Sequence, residues 1–196
     1  MRALVVHCHP CEESLVAAAR DAAVRGLEAG GHEVRLIDLY AEGFRPELAA
    51  HEWRGHVDGV RDDDCAPHIE ALRWAEAIVF VYPTWWGMQP AMLRGWLDRV
   101  WATGVAYDLT GDLTGLVGRL KHVRRLVVVT THGSSKLQNA LQGESGKRLI
   151  GRGLRVLCHP LARTRWIALY GVDACSDLDR REFLTKVERR LSRRRL

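Results

Sequence analysis

Three short segments of this 196-residue chain combine residue types that could hold an anion and a flat ring. The first is His7-Cys8-His9-Pro10-Cys11-Glu12-Glu13-Ser14-Leu15, which runs from an apolar stretch into residues at helical spacing. A helix N-terminus presents unpaired N–H groups and the positive end of the helix dipole, a combination that favours phosphate. Ser14 adds a hydroxyl and is placed to cap that helix, and His9 adds an imidazole. The second segment is Tyr82-Pro83-Thr84-Trp85-Trp86-Gly87-Met88-Gln89-Pro90. Two adjacent tryptophans in a short loop cannot both enter a core. Bracketed by prolines they form a rigid wall for a flat ring, with backbone groups free to meet its heteroatoms. The plainer alternative is a tryptophan cluster with Trp96 and Trp101. The third segment, Thr130-Thr131-His132-Gly133-Ser134-Ser135-Lys136, is small and polar. It suits a carbonyl-rich or phosphorylated ligand, or it is an ordinary strand-to-helix turn.

Other chemistries lack their motifs. His7, Cys8, His9 and Cys11 are close, but alternation points Cys8 away from the two histidines and no second ligand pair has structural-zinc spacing, so no metal site is expected. No G-x-G-x-x-G follows the first apolar run, and Gly143-Glu144-Ser145-Gly146-Lys147 is too short for a P-loop, with Arg148 where a Ser or Thr is needed. A G-x-S-x-G elbow is also absent.

These segments need a frame that brings them together. Leu4-Val5-Val6 reads as a buried strand, and Leu15, Ala18, Ala19, Ala22, Ala23 and Leu27 as a helix stopped by Gly30-Gly31. Val34, Leu36 and Leu39 open a second strand. Residues 41 to 65 are polar and read as a surface excursion, followed by a helix over about 66–76. Ala77 to Tyr82 is a continuous apolar strand, then comes a helix with Met92, Leu93, Trp96, Leu97 and Val100. Leu126 to Val129 forms the next strand, a helix carries Leu149, Ile150, Leu154 and Leu157, and Trp166 to Tyr170 is the last strand. A closing helix runs from about Leu178 to Leu191, capped by Asp177 or Ser176. Strands alternating with helices predict a doubly wound, flavodoxin-like five-stranded parallel sheet with helices on both faces, in one domain over 1–196. Ligands in such sheets sit beyond the carboxyl ends of the strands, where the three segments fall.

The 47% hydrophobic and 27% charged composition fits an ordinary globular domain. No apolar run approaches the length needed to cross a bilayer, and no signal peptide is read at the start, so a cytoplasmic location is expected. Five cysteines, an odd number, fit reduced thiols better than a disulfide framework. The net charge of +5 owes much to Arg180, Arg181, Arg189, Arg190 and Arg193 to Arg195. No aromatic residue interleaves with them, so the expected reading is a solvated helix end complementing its dipole, with no nucleic-acid partner.

With those residues in place, the chain resembles the flavodoxin-fold NAD(P)H dehydrogenase (quinone) family over most of its length. The likeness rests on His9-Pro10 with Ser14, Asp38-Leu39-Tyr40 with Phe44 and Pro46, and the run from Tyr82 to Ala91. It continues through Leu93-Arg94-Gly95-Trp96-Leu97-Asp98-Arg99-Val100-Trp101 to Ala106-Tyr107. Thr130-Thr131-His132-Gly133 is similar to the family's Thr-Thr-Gly-Gly loop. The resemblance implies a flavin, FMN with FAD as the alternative, reduced by NADPH or NADH and reoxidised by a quinone-like acceptor. Hydride would pass through flavin N5 in two successive half-reactions. It implies that His9, Ser14 and Leu15 hold the phosphate side. Pro83, Thr84, Trp85 and Trp86 would line the isoalloxazine, and Thr130, Thr131 and Gly133, with His132 beside them, would meet its polar edge and the ribityl chain. It also implies a homodimer with sites at the subunit interface. Val16 stands where many members have Asn, and the family's Tyr and His proton relay has no counterpart around Leu137 to Ser145. His132 is then the catalytic candidate, titrating near neutrality. A flavodoxin-type electron carrier and a flavin-binding regulatory subunit of an ion-efflux system are the alternatives; the basic charge balance argues against the carrier.

Overall fold

The computed structural model describes residues 1–112, 114–194 and 196. Arg195, counted above in the basic stretch, lies outside the described residues. The elements are β1 (Arg2–His7), α1 (Leu15–Ala29), β2 (Glu33–Asp38), α2 (Ala50–Arg54), α3 (Ala66–Trp74), β3 (Ala77–Pro83) and α4 (Ala91–Val100). They continue with β4 (Tyr107–Leu109), β5 (Leu116–Gly118), β6 (Arg125–His132), α5 (Lys136–Leu141), α6 (Ser145–Arg148), β7 (Arg163–Tyr170) and α7 (Asp177–Leu191).

Five strands form a parallel sheet in the order β2-β1-β3-β6-β7. Strand alternation splits its side chains between two cores. Leu4, Val6, Ile78, Phe80, Leu126 and Val128 face Leu72, Leu93 and Trp96 of α3 and α4. Ala3, Val5, Val79, Val81, Val127 and Val129 face Ala19, Ala23 and Leu27 of α1 and Phe183 and Val187 of α7. Both faces are therefore covered, which is why the central strands read as unbroken apolar runs. The doubly wound expectation holds, and the chain order reverses direction between β1 and β3. The two edge strands carry Glu33 and Arg35 on one side and Arg163 and Arg165 on the other, charges that discourage pairing with another strand.

Three segments depart from the sequence reading. Residues 41 to 65 do not simply skirt the surface: they form α2 and a 3₁₀ turn at Asp63–Cys65, and Glu52 is fully buried. The antiparallel hairpin β4–β5 is unforeseen. The helix expected around Leu149 to Leu157 is instead a π-helical turn over Leu149–Leu154 and a 3₁₀ turn over Arg155–Leu157.

Gly95 shows how closely the 41–65 segment is seated. A Cβ there would lie 2.2 Å from the Pro46 carbonyl oxygen. Gly95→Ala is expected to cost about 2–3 kcal/mol through overpacking, against roughly 1 kcal/mol of helix propensity regained. Urea unfolding measures the balance; a stabilised variant would show that α4 and Pro46 do not share this contact.

Candidate ligand site at the strand ends

β1, β3 and β6 are adjacent in the sheet, so the loops that follow them meet at one end of it. Backbone bonds join them: Cys8 N–H donates to Val81 O at 3.0 Å, and Thr84 N–H to Thr131 O at 2.8 Å. The three segments singled out by residue type are thus neighbours.

The first loop is built to donate hydrogen bonds. Ser14 caps α1, its Oγ accepting from Ala17 N–H at 3.1 Å. The Ser14 hydroxyl proton stays available, as do the first-turn N–H groups of Leu15 and Val16, which a helix leaves without intrahelical partners. Cys11 N–H donates to His9 Nδ1 at 3.0 Å. The same Nδ1 lies 3.1 Å from Cys11 O, so the ring is held against the Cys11 backbone in either tautomer, with Nε2 directed away from it. Three donors at a helix N-terminus, the Ser14 hydroxyl and the Leu15 and Val16 N–H groups, match a phosphate group. Cys8 is buried, and burial pushes its thiol up to about 12, which keeps it unreactive near neutrality. Among the described residues no group of three or more His, Cys, Asp or Glu is arranged to hold a metal.

Beneath this loop lies a feature without a sequence signal of its own. His7, fully buried, bonds through Nδ1 to Asp38 Oδ2 at 2.8 Å, and Arg20 Nη1 donates to the same oxygen at 3.1 Å. Burial holds the His7 pKa low, so the ring is neutral. Burial alone would raise the Asp38 pKa, but the bonds from His7, the Ala41 backbone and Arg20 bring it below the ordinary carboxylate value. The network ties the ends of β1 and β2 together under the anion donors. Asp38 falls within the Asp38-Leu39-Tyr40 run, but only the parallel register that sets His7 beside Asp38 discloses the pair.

The second loop is a two-residue hairpin. Trp85 and Met88 exchange both backbone bonds, and Trp86 (φ 52°) and Gly87 (φ 72°) occupy the turn. Positive φ at both central positions defines a type I′ turn, which favours Asn-Gly or Gly-Gly. Trp86 therefore sits in a left-handed conformation that bulky residues avoid, and its side chain is fully exposed at 101%. Trp85 is partly exposed, and Pro83 is buried at the strand end. The tryptophan-cluster alternative is not what forms: Trp96 and Trp101 pack on Phe80 in the core instead. Strain of this kind concentrates where a side chain is needed in the open.

The third loop anchors the second. Thr84 Oγ–H donates to Thr131 O at 2.9 Å, so its oxygen accepts from His132 Nδ1–H at 2.9 Å. This fixes the His132 tautomer and leaves Nε2 as a bare acceptor, buried and without a partner. The Thr130 hydroxyl is likewise buried without a partner. His132 belongs to β6 itself, is 5% exposed and stacks on Tyr170 with ring centroids 4.6 Å apart. Burial lowers its pKa, so the expectation of titration near neutrality is corrected: the ring stays neutral. Gly133 is exposed, and a Cβ there would come 2.9 Å from Asp173 Oδ2. In the sequence Tyr170 reads only as the end of the last strand; its place beside His132 follows from the register of that strand with β6.

The chain is thus a doubly wound α/β protein in which a capped helix N-terminus and an exposed tryptophan turn meet at the carboxyl ends of adjacent strands, the place where such sheets take ligands. The profile of the flavodoxin-like fold family matches residues 1–156, and the chain belongs to that family. It is 31% identical over 169 residues to the ribosyldihydronicotinamide dehydrogenase-like protein traD of Penicillium crustosum, covering 74% of this chain and 62% of that protein. The crystal structure of Smu.1420 from Streptococcus mutans UA159 superposes with a TM-score of 0.87 at 28% identity over the full length of both chains. The NAD(P)H:quinone oxidoreductase from Methanothermobacter marburgensis gives 0.82 at 26% identity, over 98% of this chain and 96% of that one. The chain spans about three fifths of the length of the curated relatives it matches.

Proposed function

We propose that the chain is a flavin-dependent NAD(P)H:quinone oxidoreductase. The observation that carries this reading is Trp86, held fully exposed on a strained turn that is hydrogen-bonded to the third loop and lies across the strand ends from a phosphate-type donor set. The names of the similar proteins support it. A bound flavin would supply two-electron redox chemistry, and the protein would supply binding and orientation.

In this reading Ser14, Leu15 and His9 hold the phosphate side of the flavin, taken as FMN with FAD the alternative. Pro83, Thr84, Trp85 and Trp86 flank the ring. Thr130, Thr131 and Gly133 meet its polar edge, with Gly133 exposed at the end of the loop. His132, the expected proton donor, takes a different part: neutral and buried, it positions Thr84 through Nδ1. The proton that accompanies reduction of the acceptor then comes from solvent. We assign a homodimer as well. A depression of about 260 Å³ beside α4, which sets Leu97, Trp101, Tyr107, Leu116 and Leu157 beside the Arg94–Asp98 ion pair, is the surface we assign to a second copy.

The test is optical. Protein supplied with FMN should turn yellow, bleach under anaerobic NADPH or NADH, and regain colour when a soluble quinone is added. Protein that stays colourless and retains neither FMN nor FAD would overturn the reading.

A further inference from the structure

The end of the sheet opposite the ligand site carries an unbalanced cluster of arginines. Arg125 and Arg163 are register partners at the start of β6 and β7, and Arg163 N–H donates to Arg124 O at 3.1 Å. On the same sheet face, Arg165 Nη1 donates to Arg190 O at 3.1 Å near the last turn of α7, and Arg125 Nε donates to the backbone oxygen of Leu196. Arg189, Arg193 and Arg194 extend the group along and beyond the end of α7. Arg124, Arg163, Arg189, Arg193 and Arg194 are exposed.

Among the described residues, Arg125 reaches an oxygen of Leu196, the last residue of the sequence, and none of the other seven side chains pairs with a carboxylate. The nearby acids that form ion pairs are taken by other arginines: Glu76 by Arg2 and Glu188 by Arg25. Burial, with repulsion from neighbouring arginines added to it, holds the Arg125 and Arg165 pKa values below the usual one. A helix C-terminus accounts for roughly half a negative charge. Arg165, donating to the Arg190 carbonyl there, answers it, which leaves five exposed cations with no carboxylate partner among the described residues.

The surroundings indicate what those cations meet. Leu161 is 78% exposed on the tight turn just before Arg163, where Ala162 N–H closes onto His159 O at 2.8 Å. An aliphatic side chain standing out beside a basic face suits insertion among lipid headgroups. The only aromatic rings of β7, Trp166 and Tyr170, lie farther along the strand and are half-buried, so the cluster presents no exposed stacking platform of the kind single-stranded nucleic acid uses.

We propose that this arginine face, with Leu161 at its margin, docks the protein on an anionic phospholipid surface. Eight strand residues at about 3.3 Å each separate the two ends of β6, so the ligand site would face away from the bilayer by about 26 Å and draw its reactants from the aqueous phase. The proposal does not depend on the flavin reading, and either can fail alone.

Co-sedimentation with vesicles containing about one third phosphatidylglycerol, against pure phosphatidylcholine, tests it. The protein should partition to the anionic vesicles only, and release in about 0.5 M salt, where screening shortens to a few ångströms. Each arginine near such a surface is worth about fivefold in partitioning, so Arg124→Glu/Arg163→Glu/Arg193→Glu should lower it by more than about a hundredfold. The matching triple Gln variant should fall between. Leu161→Asp should weaken binding while leaving the salt dependence in place. Near-UV circular dichroism and melting temperature, unchanged in these variants, would show the loss to be local. Equal binding to neutral vesicles, no binding to anionic ones, or preference for a short DNA duplex over vesicles would overturn the proposal.

Discussion

Arg99→Met is expected to lower stability by about 3–5 kcal/mol, the cost of leaving a buried carboxylate without its partner. Arg99, on α4, is fully buried, and so is Glu52 of α2. Its guanidinium donates to Glu52 Oε1 at 2.9 Å and to Asp64 Oδ1 and Oδ2 at 2.6 and 2.7 Å, and Nη1 also reaches Arg45 O at 2.7 Å. The cation lies 5.2 Å from the Phe44 ring centre. One side chain thus fastens three parts of the 41–65 segment to the helix that follows the hairpin loop. In a domain of this size the loss corresponds to a melting-temperature drop on the order of 10 °C. Arg99→Lys should recover only part of it, because an ammonium cannot reproduce the two-sided fork. Adding Glu52→Gln to Arg99→Met should restore some stability, which a double-mutant cycle would register as coupling. A single Arg99→Met variant within about 0.5 kcal/mol of the parent would sink this account.

The same network sets an acid limit. Burial alone would raise the Glu52 pKa, but the bonds from Arg99 and from the Ala49 and Asp62 backbones more than offset it; for Asp64 the Arg99 bond is the largest influence. Both carboxyls end below their ordinary values. Their contribution is therefore present in full above the unfolded-state pKa values near 4 and is lost as pH falls through the lower folded ones. The parent should lose stability more steeply than Arg99→Met over that acid window.

Trp86→Gly should separate stability from function. A left-handed backbone costs a residue with a Cβ roughly 1–2 kcal/mol, and glycine removes that cost at a type I′ turn. The variant should melt a few degrees higher without ligand. It should also lose at least about tenfold in FMN retention or in quinone turnover, since stacking on an aromatic platform contributes on the order of 1–3 kcal/mol per ring. Calorimetry of the ligand-free protein and a fluorimetric FMN titration make the comparison. A variant that keeps both affinity and turnover within twofold would remove Trp86 from the site.

What could be read in advance follows from how local each signal is. The Ser14 cap, the alternation of strand and helix, and the exposure of Trp85 and Trp86 rest on neighbouring residues, and each stands in the structure. The β4–β5 hairpin escaped notice because its strands are three residues long and carry no run of buried side chains. Glu52 looked like a solvent carboxylate because its partner is 47 residues away. His132 looked like a loop histidine because Thr130-Thr131-His132 is polar, yet the register with β7 continues through it to Tyr170. The helix after α6 kept a helical apolar period while its hydrogen bonds widened into a π turn, a change that side-chain spacing alone does not reveal.

The order of the sheet also says when the site can come into being. Ala3 pairs with Ala77, and Val79 with Val127, so each neighbouring strand is reached only after a long intervening stretch of chain has been closed into a loop. Such distant closures make folding slow compared with forming a helix or its cap. α1 and its Ser14 cap are local and need none of them. The hairpin of Trp86 gains its tether to Thr131 and His132 only when β6 has docked beside β3. During refolding, helical signal should therefore return well before any capacity to retain a ligand. Capture of that ligand becomes a clock for the last long-range strand pairing, and a partly folded chain has no site to offer.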